Sequence, residues 1–457
     1  MKKHIALRAL AVILLVLAGS LLAQPAAMAQ TGQAAGQSQA LGYTPAEYNQ
    51  FNAAVNEKDA ATRVKLLDDF VAKYPESTLL PYCFQSYYLT YSQLQDYLKS
   101  INFIDKLLGI GDKVDSLQGM ENARIIAHEA RARLFFAAIQ QGRLKTNEHF
   151  AAGRKASTDG LRLVEQRKKP ENVSDEDFMQ QNDSLRKYFY AVIGLAARQL
   201  KDYKASIKAY RALLAISPND ASTYYQLGLS YLSSEPPQYN DGFWAIARSI
   251  ALKVPGEAQI RSFLRGRINN YQQPACERLL DAQLNELLAL AAAGGERPEG
   301  FSIPSRSEID KAVADTSIDA ILGDLKAGGD RAKLRWLGVC SAEFPQLGGK
   351  VFEVAEADGK VKVKVFTAGE AEAIDAGTEP NLELTVEGQP GAAKLKKDDA
   401  ILFAGMLDDF SPEPFLVKLV KVKIDPEYLP KDEQPGKTPA KKAPTKRPPN
   451  KRPPASR

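Results

Sequence analysis

The chain has 457 residues, 44% of them apolar and 25% charged, with a formal net charge of +5. Those fractions exclude a disordered or membrane-embedded chain, and the length is ample for two or three folded domains. Its three histidines (His4, His128, His149) and three cysteines (Cys83, Cys276, Cys340) are too few to suggest a multi-ligand zinc site, and no metal or cofactor is expected.

Lys2, Lys3 and Arg8 make a basic start, followed by an apolar run from Ala9 to Ala23 and then Ala27, Met28 and Ala29, a small-x-small cleavage pattern. Residues 1–29 are therefore expected to be a secretory signal peptide. The run is shorter than the ~20 apolar residues a membrane span needs. The expected location is exported, in a periplasm or outside the cell. In such an oxidising compartment three cysteines leave two arrangements open, one disulfide plus a free thiol or three buried thiols.

Residues 30–42, rich in Gln, Gly and Ala and without a period, read as a disordered leader. From 43 to 293 the apolar spacing is helical, interrupted by an expected loop from Gly109 to Gly119 and a polar turn from Lys168 to Ser174. Residues 294–330 read as a linker with short helices, opened by a capping box at Ser305 and Glu308. From about 331 to 430 the apolar period becomes two. At least five strands are expected, at 351–357, 360–366, 381–386, 400–406 and 415–424, with Asp358 and Gly359 turning the first hairpin. The last 27 residues, 431–457, hold seven Pro and nine Lys or Arg and are expected to be a disordered tail.

The helical part repeats itself. Six of nine positions are identical between Gln93–Ile101 and Gln199–Ile207, and Gly194 and Gly228 stand 34 residues apart. The segment from Gly194 through Tyr203, Ser206 and Tyr210 to Pro218 resembles the tetratricopeptide repeat, whose period is about 34 residues. Gly228 with Tyr231, and Tyr97 with Ser100, mark further copies; between Met120 and Gln181 the pattern weakens, as degenerate or unusually long helices would make it. The resemblance covers about half the chain. It implies antiparallel helix pairs that must stack to bury their apolar faces, and a concave groove that holds a protein or peptide. On that scheme Tyr82, Gln85, Tyr188, Arg198, Ser222 and Tyr225 would face the groove. The competing reading for each aromatic is packing.

The expected fold is thus mainly α: a helical-repeat solenoid, then a small antiparallel β barrel or sandwich, weakly similar to an OB-fold through its strand count and Phe403 with Gly405. Lys360, Lys362 and Lys364 alternate with Val361, Val363 and Val365, and Lys421 and Lys423 extend a lysine stripe. That stripe reads as a solvated, edge-protecting face, with anion binding as the alternative. It has no aromatic platform for single-stranded nucleic acid. In the tail, Lys441, Lys442, Lys446, Arg447, Lys451 and Arg452 form dibasic pairs between prolines, suited to an anionic envelope surface or to a solubilising spacer.

No GxSxG elbow, HExxH helix or P-loop occurs, so no catalytic residue is expected. The expected protein is a non-catalytic exported adaptor; a β domain that binds envelope carbohydrate or anions is the alternative. The signal peptide and the tail carry the positive charge, and the body 30–430 has a net charge of −5. Nucleic acid is therefore an unlikely partner.

Overall fold

A computed structural model describes residues 42–430 except Glu121 and Asp358. The expected signal peptide, most of the leader and the basic tail lie outside those residues. By its internal contacts the chain divides into two units: residues up to Tyr271 with Leu280–Ile303, and Gln272–Leu279 with residues from Pro304 onward.

The first unit is helical. Its elements are α1 (Pro45–Asn56), α2 (Ala60–Lys73), α3 (Leu80–Gln93), α4 (Tyr97–Gly109), α5 (Ala123–Gln140), α6 (Asn147–Gln166), α7 (Asp175–Gln199), α8 (Tyr203–Ile216), α9 (Ala221–Ser233), α10 (Tyr239–Ala251), α11 (Glu257–Gln272) and α12 (Glu277–Ala293). The starts are set by short polar caps. Asp59, Asp96, Thr146, Ser174, Asp202 and Asp220 each accept a backbone N–H from the first turn that no helical carbonyl could satisfy.

Four ends share one geometry. After α3, α5, α7 and α10 a residue turns left-handed: Gln95, Gly142, Lys201 and Lys253. The following N–H then reaches back five residues, from Asp96 to Tyr91, Arg143 to Ala138, Asp202 to Ala197 and Val254 to Ser249, at 2.9–3.1 Å. This cap satisfies orphan carbonyls and reverses the chain. It shows that α3/α4, α5/α6 and α7/α8 are equivalent hairpins. The pattern weakens between 120 and 181 because these helices are long: α5, α6 and α7 have 18, 20 and 25 residues. The expected loop at 109–119 is partly a 3₁₀ turn, Gly111–Ser116, that buries Val114 completely. In the segment expected as a linker, Ile303 is buried and its N–H donates to Asn240 Oδ1 at 2.8 Å, while Arg297 Nη1 donates to Phe301 O at 2.6 Å.

The second unit holds α13 (Arg306–Ala312), α14 (Ile318–Ala327), α15 (Gly329–Val339) and a barrel of β1 (Glu343–Ala357), β2 (Lys360–Phe366), β3 (Leu382–Val386), β4 (Ala400–Pro412) and β5 (Phe415–Ile424), with the short α16 (Ala371–Ala376) between β2 and β3. The strands close in the order β1-β2-β3-β5-β4. The expectation of an antiparallel sheet is corrected at one place: β3 pairs β5 in parallel. Closure requires a partner for every strand edge. With β4 lodged between β5 and β1, the free edge of β3 meets β5 running the same way. β1 and β4 begin or end well beyond the expected bounds because each serves two neighbours. The first half of β1 pairs β4 and its second half pairs β2. Val363, Val365, Leu382, Leu384, Leu407, Val417, Leu419 and Val422 are fully buried inside the barrel.

Two further ties hold this unit. Gln272–Leu279 is anchored to α15: Ala275 N–H donates to Leu337 O at 2.8 Å, and Cys276 is disulfide-bonded to Cys340. Cys83, in the first unit, is a free and buried thiol. Of the two arrangements open at the sequence level, the structure has one disulfide and one free thiol. Under the barrel, Arg335 is 2% exposed; its Nε donates to Asp324 Oδ2 at 2.8 Å, and Arg331 reaches Asp324 Oδ1 at 2.6 Å.

Candidate functional site

The repeat residues do in three dimensions what their spacing asks. Ser206 is fully buried, and its Oγ donates to Gly194 O at 2.8 Å, twelve residues back across the α7/α8 hairpin. Ser100, equally buried, makes the same bond to Tyr88 O at 2.7 Å, again twelve residues back, across α3/α4. A small hydroxyl at this point lets two helix backbones approach while leaving no polar group unsatisfied. Gly194 faces the ring of Tyr210, and a β-carbon there would stand 2.6 Å from it. Gly228 sits against Ile246 and Gly242 O in the α9/α10 pair in the same way. Tyr97 and Tyr203 open α4 and α8, Pro218 lies between α8 and α9, and Tyr231 packs beside Tyr210, Leu213 and Leu227.

The six residues placed on a groove by analogy fall on α3, α7 and α9, the first helix of each pair. Tyr82 and Gln85 on α3, Tyr188 and Arg198 on α7, and Ser222 on α9 are half-buried, whereas Tyr225 is 8% exposed and belongs to the core beside Trp244 and Ile246. Tyr82 Oη donates to Gln118 O at 2.9 Å. Gln85 hydrogen-bonds Tyr88, whose hydroxyl is pushed up to about 12, first by burial. The guanidinium of Arg133 stacks 4.2 Å from the centre of the Tyr188 ring and is held there by Glu129, 2.6 Å away. Such a stack fixes both side chains and leaves a charged edge beside an aromatic one. Arg198 joins two aromatics: it hydrogen-bonds Tyr210 and acts electrostatically on Tyr225. Its Nε is buried without a hydrogen-bond partner. Burial raises the Tyr210 hydroxyl to about 12, the nearby Arg198 charge pulling the other way.

Tyr82, Gln85, Tyr188 and Ser222 thus carry both packing and partial exposure. Sequence reasoning missed Arg133. A Glu129/Arg133 pair four residues apart on one helix face was legible, but its aromatic platform on α7 was not.

The lysine stripe of the barrel has a different character from that expected. Cross-strand neighbours run Glu353, Lys364, Glu383, Lys418, Asp409, one from each strand, so charges alternate around the barrel. Lys364 pairs with Glu353 at 2.9 Å, Lys418 with Asp409 at 3.3 Å and Lys362 with Glu383 at 3.4 Å. Lys423 donates to Glu387 O. Since a closed barrel has no free edge, the lysines do not protect one; they neutralise carboxylates on adjacent strands. No group of three or more His, Cys, Asp or Glu among the described residues could hold a metal ion, and no described helix is long and apolar enough to cross a membrane.

No curated protein matches the chain. Residues 194–234, which run from the end of α7 through α8 and α9, match the tetratricopeptide repeat family model.

Proposed function

We propose that this protein is an exported, non-catalytic adaptor that holds a protein or peptide on the surface formed by the first helices of its repeats. The observation that carries the reading is the recurring hairpin, the buried serine bonded twelve residues back, coinciding at 194–234 with a tetratricopeptide match. Tetratricopeptide stacks present such faces to partner proteins. Export is supported by the signal-like residues 1–29 and by the Cys276–Cys340 disulfide, which suits an oxidising compartment. The barrel's five strands and crossed order support an OB-like reading. Its charge alternation argues against the alternative, in which the β domain itself captures an anionic polymer. The dibasic pairs from Lys441 to Arg452 are the segment suited to an anionic envelope surface.

The test places charge on the half-buried groove positions. Cross-linked partners of the tagged protein are compared between wild type and Gln85→Glu/Ser222→Glu, with thermal melting confirming the fold. Loss of the principal partner supports the reading, and identical partner sets reject the groove. Deleting 431–457 tests the tether separately: salt-sensitive co-sedimentation with anionic vesicles is expected to disappear.

A further inference from the structure

We propose that a cleft in the first unit, remote in sequence from the 194–234 match, binds a phosphate group, either free or esterified to a small molecule. The cleft, about 430 Å³, opens between the end of α4, the start of α5 and the middle of α6. That volume falls within the roughly 300–1,000 Å³ of small-ligand sites. Arg124 and Arg131 line it from α5, Lys155 and Arg162 from α6. Its carboxylates are Asp105 and Asp159. Four cations thus meet two carboxylates; Asp115, which holds Arg124 at 2.5 Å from outside the lining, leaves one positive charge in surplus.

The arrangement is built rather than incidental. Arg131 is 5% exposed and fixed by Asp105 through Nε–Oδ1 at 2.6 Å and Nη2–Oδ2 at 3.2 Å. A guanidinium held on one edge is preorganised to present the rest of its fork to an oxyanion. Lys155 and Arg162 share the single carboxylate of Asp159, at 2.8 and 3.2 Å, so neither is fully neutralised. His128 is 8% exposed at the cleft wall, and its Nδ1 has no hydrogen-bond partner. Buried polar atoms left unmet in a protein of this size call for an explanation, and a ligand is one. Leu108 and Leu163 add apolar lining for the remainder of the molecule. Phosphate oxygens suit Arg131, Arg162 and Lys155, and the leucines suit a short carbon skeleton.

Calorimetric titration of the full chain with inorganic phosphate and with glycerol 3-phosphate tests the site. Saturable binding of at least one is expected. Tighter binding of the ester assigns the source as a phosphomonoester, and equal or tighter binding of inorganic phosphate assigns free phosphate. Lys155→Ala/Arg162→Ala alters side chains 81% and 65% exposed and should leave the fold intact while weakening binding by about tenfold or more. Asp159→Asn frees both cations and should tighten it severalfold. No saturation by either probe, wild-type affinity in the double variant, or weaker binding in Asp159→Asn would each overturn the proposal.

Discussion

The Tyr210 ring occupies the space a side chain on Gly194 would need, 2.6 Å from the position of an added β-carbon. Two helices of one hairpin are close here because one of them has no side chain. Gly194→Val should therefore lower stability by about 1–3 kcal/mol through overpacking. Gly266 on α11 has nothing within 4 Å of the same construction. Gly266→Ala is expected to stabilise by about 0.5–1 kcal/mol, from helix propensity alone. Chemical denaturation of the two variants checks the pair; equal effects would show that the glycine–tyrosine contact is not structural.

Acid should weaken the first unit through His128. Burial holds its pKa down at about 4, against an ordinary 6.5. Between those values the unfolded chain takes up a proton that the folded chain refuses, so stability falls as pH drops from 6.5 toward 4. A shift of this size corresponds to about 3 kcal/mol. Urea midpoints should fall more steeply with acidification for wild type than for His128→Gln, which has no proton to take up, so the wild type loses ground to the variant as pH drops from 6.5 toward 4. Parallel curves would assign the acid sensitivity to other groups.

The Asp324 carboxylate hydrogen-bonds the buried Arg335 guanidinium beneath the barrel, and it also receives Arg331. Removing one member of such a pair strands the other charge. Asp324→Ala should cost about 3–5 kcal/mol, whereas replacing both Asp324 and Arg335 by apolar residues of similar volume should cost much less. A double variant as damaged as the single would point to a loss of packing rather than of charge balance.

Thiol titration separates the three cysteines. The Cys83 thiol is pushed up to about 12 by burial, which suppresses the reactive thiolate. The native protein should show almost no reaction with a thiol reagent, the denatured protein one thiol, and the reduced, denatured protein three. Closing a 64-residue loop, the Cys276–Cys340 bond should contribute about 4 kcal/mol in the chain-entropy account. Reduction should lower the melting temperature; an unchanged transition would mean the bond carries no constraint.

Much of the molecule was legible before folding. The 34-residue interval between Gly194 and Gly228, the copy of Gln199–Ile207 at Gln93–Ile101, and the valines alternating with lysines at 360–365 are local periodicities, and local periodicity is what helices and strands express. The charge division between basic signal peptide, acidic body and basic tail likewise needs only the order of residues.

The rest depended on which distant elements meet. Nothing in Lys360, Lys362 and Lys364 says that Glu353 and Glu383 will flank them, because cross-strand partners are set by register and not by sequence neighbourhood. The parallel β3–β5 pair follows from closing five strands without a free edge. Cys276 meets Cys340 across 64 residues, and Arg133 finds Tyr188 on another helix. Sequence determined the elements and their apolar faces, since each depends on residues a few positions apart. Tertiary structure alone decided the disulfide, the charge belt and the Arg131–His128 cleft, since long-range pairing assembles each of them from segments whose local chemistry is ordinary.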